Sequence, residues 1–136
     1  MKPLILPYKG IMPKIAPDAF IAPNAVIIGD VEIGSKTNVW FNCVIRGDVN
    51  TIRIGERTNI QDGTIIHVTR KTGPTKIGSG VTIGHMVLLH ACTLEDNSFI
   101  GMQSTIMDGA IVESGGMVAA GAIVTPGKRI PSGQIW

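Results

Sequence analysis

Three histidines, His67, His85 and His90, are the only ones in the chain, and they lie at spacings of 18 and 5 residues. Imidazole ligates metals readily and titrates nearest to neutral pH, so such a cluster points first to a metal centre and second to general-base chemistry. Three imidazoles with one position left open are the ligand set of catalytic zinc. Whether these three can meet depends on the elements that carry them.

Composition narrows those elements. A chain of 136 residues suits one domain, taken as 1–136, with residues 1–14 as an irregular lead-in broken by Pro3, Pro7 and Pro13. The formal charge is +2 with 16% charged residues, and Lys and Arg are scattered, which argues against nucleic acid and against an anionic membrane surface. A small-molecule partner fits better. The apolar run near the start, interrupted by Pro3 and Pro7, is too short for a signal-peptide core or a membrane span, so a cytoplasmic location is expected. The two cysteines, Cys43 and Cys92, lack a C-x-x-C spacing and are expected to be reduced. Aromatic residues make up only 4% of the chain, whereas there are 17 glycines and recurrent Ile and Val, a mixture of strands and turns rather than helices.

A six-residue period organises the chain. Large aliphatic residues stand at Ile15, Ile21, Ile27, Ile33, Val39 and Ile45, then, after a slip of three, at Ile54, Ile60 and Ile66. A loop from Val68 to Lys76 follows, and the series resumes at Ile77, Ile83 and Leu89, loses one residue, and runs from Leu94 through Ile100, Ile106, Val112, Val118, Val124 and Ile130 to Trp136. Four positions after most of these anchors the residue is small or short, as at Ala25, Cys43, Thr58, Thr64, Val87, Thr93 and Ala110. Each hexad thus reads as a short strand with one inward aliphatic, followed by a corner that admits only a small side chain. Three hexads close a triangular coil, and coils stack at about 4.8 Å. The fold class is all-β, a parallel β-helix. Cys43 falls in a small inward slot and reads as core, and Cys92 reads as inert. The glycines that follow anchors read as structural, because no helix follows them to make a phosphate cradle.

This register brings two of the histidines together. Ile66 and Leu89 are one full coil apart, so His67 and His90, each directly after its anchor, point outward from one face about 4.8 Å apart. His85 lies two places after Ile83, on the preceding face, where its own chain keeps it from that pair. A second copy could supply it, which predicts a metal at each interface of a cyclic trimer. Ile45 lies one coil before Ile66, so Arg46 emerges beneath His67, where a cation could hold an anion or a partner carboxylate.

The sequence resembles the γ-class carbonic anhydrases and their bacterial relatives within the hexapeptide-repeat proteins. The resemblance rests on Gly10-Ile11-Met12-Pro13-Lys14-Ile15, Val39-Trp40-Phe41, Ile45-Arg46-Gly47-Asp48-Val49-Asn50, Thr58-Asn59-Ile60-Gln61-Asp62-Gly63 and the histidine spacings. It implies a left-handed β-helix and a homotrimer holding zinc, or iron or cobalt in vivo, through His67 and His90 of one subunit and His85 of the next. It implies zinc-hydroxide attack on CO2 to give bicarbonate, with Gln61 orienting the bound water or CO2 and Asn59 nearby. Arg46 and Asp48 are implied to pair across the subunit boundary.

Some positions depart from the pattern. The best-studied branch has an acid where this chain has Val49, and a proton-shuttling glutamate on the loop where it has Arg70, so weak or condition-dependent activity is expected. Relatives continue into a C-terminal helix, which is expected to be missing from a chain that stops at Trp136. Two rivals are an acyl-CoA transferase on the same scaffold and a non-catalytic trimer that keeps the metal for stability.

Overall fold

Alternating burial along each hexad turns the period into structure. In Asn59–Ile60, Thr82–Ile83 and Phe99–Ile100 the second residue is fully buried while the first faces outward. The computed structural model describes residues 1–136 and consists of 18 strands joined by turns, without a helix. Most strands are two or three residues long. Only Val26–Ile33 and Val44–Ile54 are longer, because each runs around a corner unbroken.

Every pairing between these strands is parallel, and each strand pairs with those one coil below and above it. A 12-stranded sheet wraps two faces of the prism through the two long strands, and a 6-stranded sheet forms the third. The result is a left-handed β-helix of about 7 coils. No helix is long and apolar enough to cross a membrane.

The interior is a column of aliphatic side chains in which 26 buried residues form one cluster, among them Ile27, Ile45, Ile66, Leu89 and Ile106 stacked on a single face. The corner hydroxyls beneath the turns are also buried and bond to carbonyls of the next coil: Thr37 Oγ1 to Gly55 O at 2.7 Å, Thr58 Oγ1 to Gly78 O at 2.8 Å and Thr64 Oγ1 to Gly84 O at 3.1 Å. Such bonds offset the desolvation of groups that could not otherwise be enclosed.

The slip of three residues after Ile45 is a local insertion. Gly29 pairs with Gly47 and Val31 with Ile52, so Asp48 to Thr51 bulge out where the coil below has only Asp30. At this corner the backbones nearly touch: Gly29 has φ +82°, and a Cβ there would stand 2.2 Å from Gly47 O. The bulge projects Asp48 beside His67.

Three expectations need correction. The segment read as an irregular lead-in contains a strand, Leu4–Leu6, paired in parallel with Val26 to Ile28. A proline on either side does not prevent this, because the strand lies at the edge of its sheet, where missing donors cost least. The small corner residue after Leu89 is Cys92, buried, rather than Thr93, which belongs to the strand Thr93–Leu94 and is half-buried on its outer side. Deleting one residue moved the corner back by one place. Trp136 ends the anchor series exposed rather than inward.

Cys43 and Cys92 lie in the core, and burial raises both thiols, that of Cys92 to about 12. Neither should react with Ellman's reagent in native buffer at pH 8, and both should react after denaturation. Ile100→Ala, at a fully buried anchor, should destabilise the protein by about 2–5 kcal/mol, read from urea denaturation.

Candidate metal centre

The strands Ile65–His67 and Leu88–His90 pair in register, His67 opposite His90. Their rings meet edge to face with centroids 5.2 Å apart, and His67 Nδ1 lies 3.2 Å from His90 Nε2. The remaining ring nitrogens each meet a carboxylate. His67 Nε2 donates to Asp48 Oδ1 at 2.9 Å, and His90 Nδ1 donates to Asp108 Oδ1 at 2.7 Å.

These carboxylates set the tautomers. An imidazole that donates from one nitrogen carries a lone pair on the other when neutral, so both lone pairs point into the same gap. Two such lone pairs repel each other unless a proton or a cation lies between them. Two nitrogens bound tetrahedrally at about 2.0–2.1 Å from zinc stand roughly 3.3 Å apart. The observed 3.2 Å separation therefore suits a shared ion. Carboxylates behind ligating histidines are the usual means of orienting such rings and raising their basicity.

Both carboxylates are held in their charged form. Burial pushes the Asp48 carboxyl up, but hydrogen bonds from Val49 N–H, His67 and Arg46 outweigh it and leave the group below the usual carboxylate range. Asp108 is also held low, chiefly by Thr69 Oγ1 donating to Oδ2, with His90 adding to the effect against partial desolvation. Asn50 Nδ2 in turn donates to Thr69 O at 3.1 Å, tying the bulge to the loop after His67.

His85 stands elsewhere. It follows the strand Thr82–Ile83 of the third face, in a corner where Met86 has φ 55°, and its Nδ1 lies 3.2 Å from Asp62 Oδ1. No group of three or more His, Cys, Asp or Glu side chains converges within the chain to hold a metal. The site residues thus fall into two sets on different corners. His67, His90, Arg46, Asp48 and Asp108 form one. His85, Asp62, Gln61 and Asn59 form the other, with Gln61 Nε2 donating to Asn59 Oδ1 at 2.8 Å.

Arg46 follows Ile45, which pairs with Ile66, so it leaves the prism one coil from His67 as expected. It forms an ion pair with Asp48 within the same chain, where the resemblance implied pairing across a boundary. The sequence reading missed Asp108, Thr69 and Asp62. A signal was available for Asp108, since it lies 18 residues after His90, one coil's length.

Comparisons with known proteins place the chain among hexapeptide-repeat proteins. Residues 4–47 match the family model described as bacterial transferase hexapeptide (six repeats). The chain is 53% identical over 129 residues to gamma carbonic anhydrase 1, mitochondrial, of Arabidopsis thaliana, covering 91% of this chain and 47% of that protein. It therefore spans about half the length of that relative. It is 42% identical to protein YrdA of Escherichia coli, covering 100% of this chain and 77% of YrdA. Among solved structures, a hexapeptide transferase family protein from Anaplasma phagocytophilum superimposes with a TM-score of 0.94 at 51% identity, covering 98% of this chain and 78% of that one. By its hexad repeat, its β-helix and its likeness to these relatives, the chain belongs to the γ-carbonic-anhydrase-like family of hexapeptide-repeat proteins.

Proposed function

We infer that this protein is a metal-dependent, carbonic-anhydrase-like enzyme that interconverts CO2 and bicarbonate as a homotrimer. The observation that carries the reading is the pair of imidazole lone pairs, 3.2 Å apart, each fixed in place by a carboxylate behind its ring. His67 and His90, together with His85 of a second copy, would hold zinc, iron or cobalt, and a metal so bound would supply the Lewis acidity that activates water for attack on CO2 at neutral pH.

The chain's own residues have separable tasks. Asp48 and Asp108 hold the rings in the ligating tautomer. The Arg46 guanidinium, half-exposed beside the pair, is placed to hold the bicarbonate anion. Gln61 orients the reacting water, and Asn59 holds Gln61. Next to Gln61 a groove of about 230 Å³, walled by Phe99, Met102 and Met117, offers an apolar berth suited to CO2.

A second copy is favoured by the face that carries the histidines. Ile65 and Leu88, on the outer side of the same two strands, are 46% and 38% exposed, an apolar ridge suited to burial against another subunit. His85, half-exposed at another corner, would then complete the ligand set across that boundary. The acyl-CoA transferase alternative finds support in the name of the solved relative from Anaplasma, and thermal stabilisation by CoA would favour it.

Elemental analysis with light scattering should find one metal per chain in a trimer, and a stopped-flow assay should show CO2 hydration that chelation abolishes and zinc or iron restores. Activity surviving His90→Ala would refute the assigned site. His67→Ala and His85→Ala should each be inactive, whereas trimers co-assembled from equal amounts of the two should recover about a quarter of wild-type activity. Mixed trimers carry one intact interface in three, and about three-quarters of random trimers are mixed. No recovery would place all three ligands in one subunit. Asp108→Asn should lower metal affinity roughly 10–100-fold, read by competition with a chromogenic chelator.

A further inference from the structure

The third face carries a chain of side chains whose hydrogen bonds can run in only one direction. Asn38 and Asn59 lie opposite each other in adjacent strands, Asn38–Val39 and Asn59–Ile60, with their side chains on the outer surface. Asn38 Oδ1 accepts two hydrogen bonds, from Trp40 Nε1 at 2.8 Å and from Asn59 Nδ2. Asn59 Oδ1 then accepts from Gln61 Nε2 at 2.8 Å. Gln61 Oε1 has no donor within the chain.

A run of carboxamides alone has no preferred polarity. Each amide presents an acceptor on one side and a donor on the other, so turning all three over would give an equally bonded chain pointing the opposite way. The indole removes this degeneracy. Trp40 Nε1–H donates and cannot accept, so the atom of Asn38 that faces it must be the carbonyl oxygen. Asn59 shares that oxygen and must meet it with its NH2, which turns its own carbonyl towards Gln61. Gln61 must answer with its NH2, and its carbonyl oxygen is left to face outward. Trp40 is itself held between Phe20 and Phe41, with ring centroids at 5.1 and 6.3 Å.

We propose that Trp40 and Asn38 are positioning residues that fix the direction of this relay, so that Gln61 presents its carbonyl oxygen at the free end. At the site inferred above, the free end of the relay is therefore a carbonyl acceptor, beside the one Gln61 N–H that Asn59 leaves unused. The consequence for catalysis rests on the function inferred above, whereas the polarity of the relay does not.

NMR of the full-length protein with labelled tryptophan indole and Asn and Gln side-chain amide groups tests the relay directly. Two donors converging on one oxygen bring their protons within nuclear Overhauser range, so the Trp40 indole proton should show a cross-peak to an Asn59 side-chain amide proton. Its absence overturns the proposal without any variant. Trp40→Phe keeps the aromatic packing and removes the donor, and it should split or shift the Asn59 and Gln61 amide signals. Adding Asn38→Asp restores an obligate acceptor at the head of the relay, so the double variant should return a single set of signals close to wild type. Unchanged signals in Trp40→Phe, or no return in the double variant, refute the proposal. In the hydration assay Trp40→Phe should lower kcat roughly twofold at unchanged KM, because two equally bonded polarities then share the population, and the double variant should regain it. An inactive wild-type protein that shows the cross-peak would overturn the functional reading and leave the relay intact.

Discussion

Leu89 stacks on Ile66 and Ile66 on Ile45, and this in-register parallel stacking holds the rest of the site in place. Because these inward side chains must lie directly above one another to close the core, the residue that follows each must leave the prism at the same point on the same face. A slip of one position would bury an imidazole and expose a leucine, at a cost of several kcal/mol in lost apolar burial and unpaired polar atoms. The facing of His67 and His90 is thus enforced by the core beneath them. The site spends little of its own binding energy on bringing the two rings together.

The carboxylates act on what the core has arranged. Asp48 reaches His67 because the chain bulges between Gly47 and Ile52, and Asp108 reaches His90 from the coil above. One comes from an insertion and the other from the regular repeat, yet both do the same thing: they take up the ring N–H and leave a lone pair directed inward. Hydrogen bonds keep both acids charged. Desolvation of Asp48 works against this and is outweighed.

The two corners of the prism divide the chemistry. One carries paired lone pairs and a guanidinium, the other an imidazole and a directed carboxamide, and within a single chain they do not meet. Neither corner by itself brings three metal-ligating side chains together. Ile65 and Leu88, on the strands that carry the histidines, face outward.

The period of six was legible from Ile and Val alone, and with it the parallel β-helix, the stacking of His67 with His90, the separation of His85 and the place of Arg46. All of these follow from counting, because the coil length is set by steric limits that every hexad shares. Only the tertiary structure decided what counting cannot resolve: the strand at Leu4–Leu6, the inward turn of Cys92 in place of Thr93, the ion pair of Arg46 with Asp48 inside one chain, and the capture of His90 by Asp108. These depend on where a bulge projects and which way a long side chain turns, and such choices are made by neighbours distant in sequence. The direction of the amide relay from Trp40 belongs with them, since a carboxamide has no polarity until a donor-only partner stands beside it.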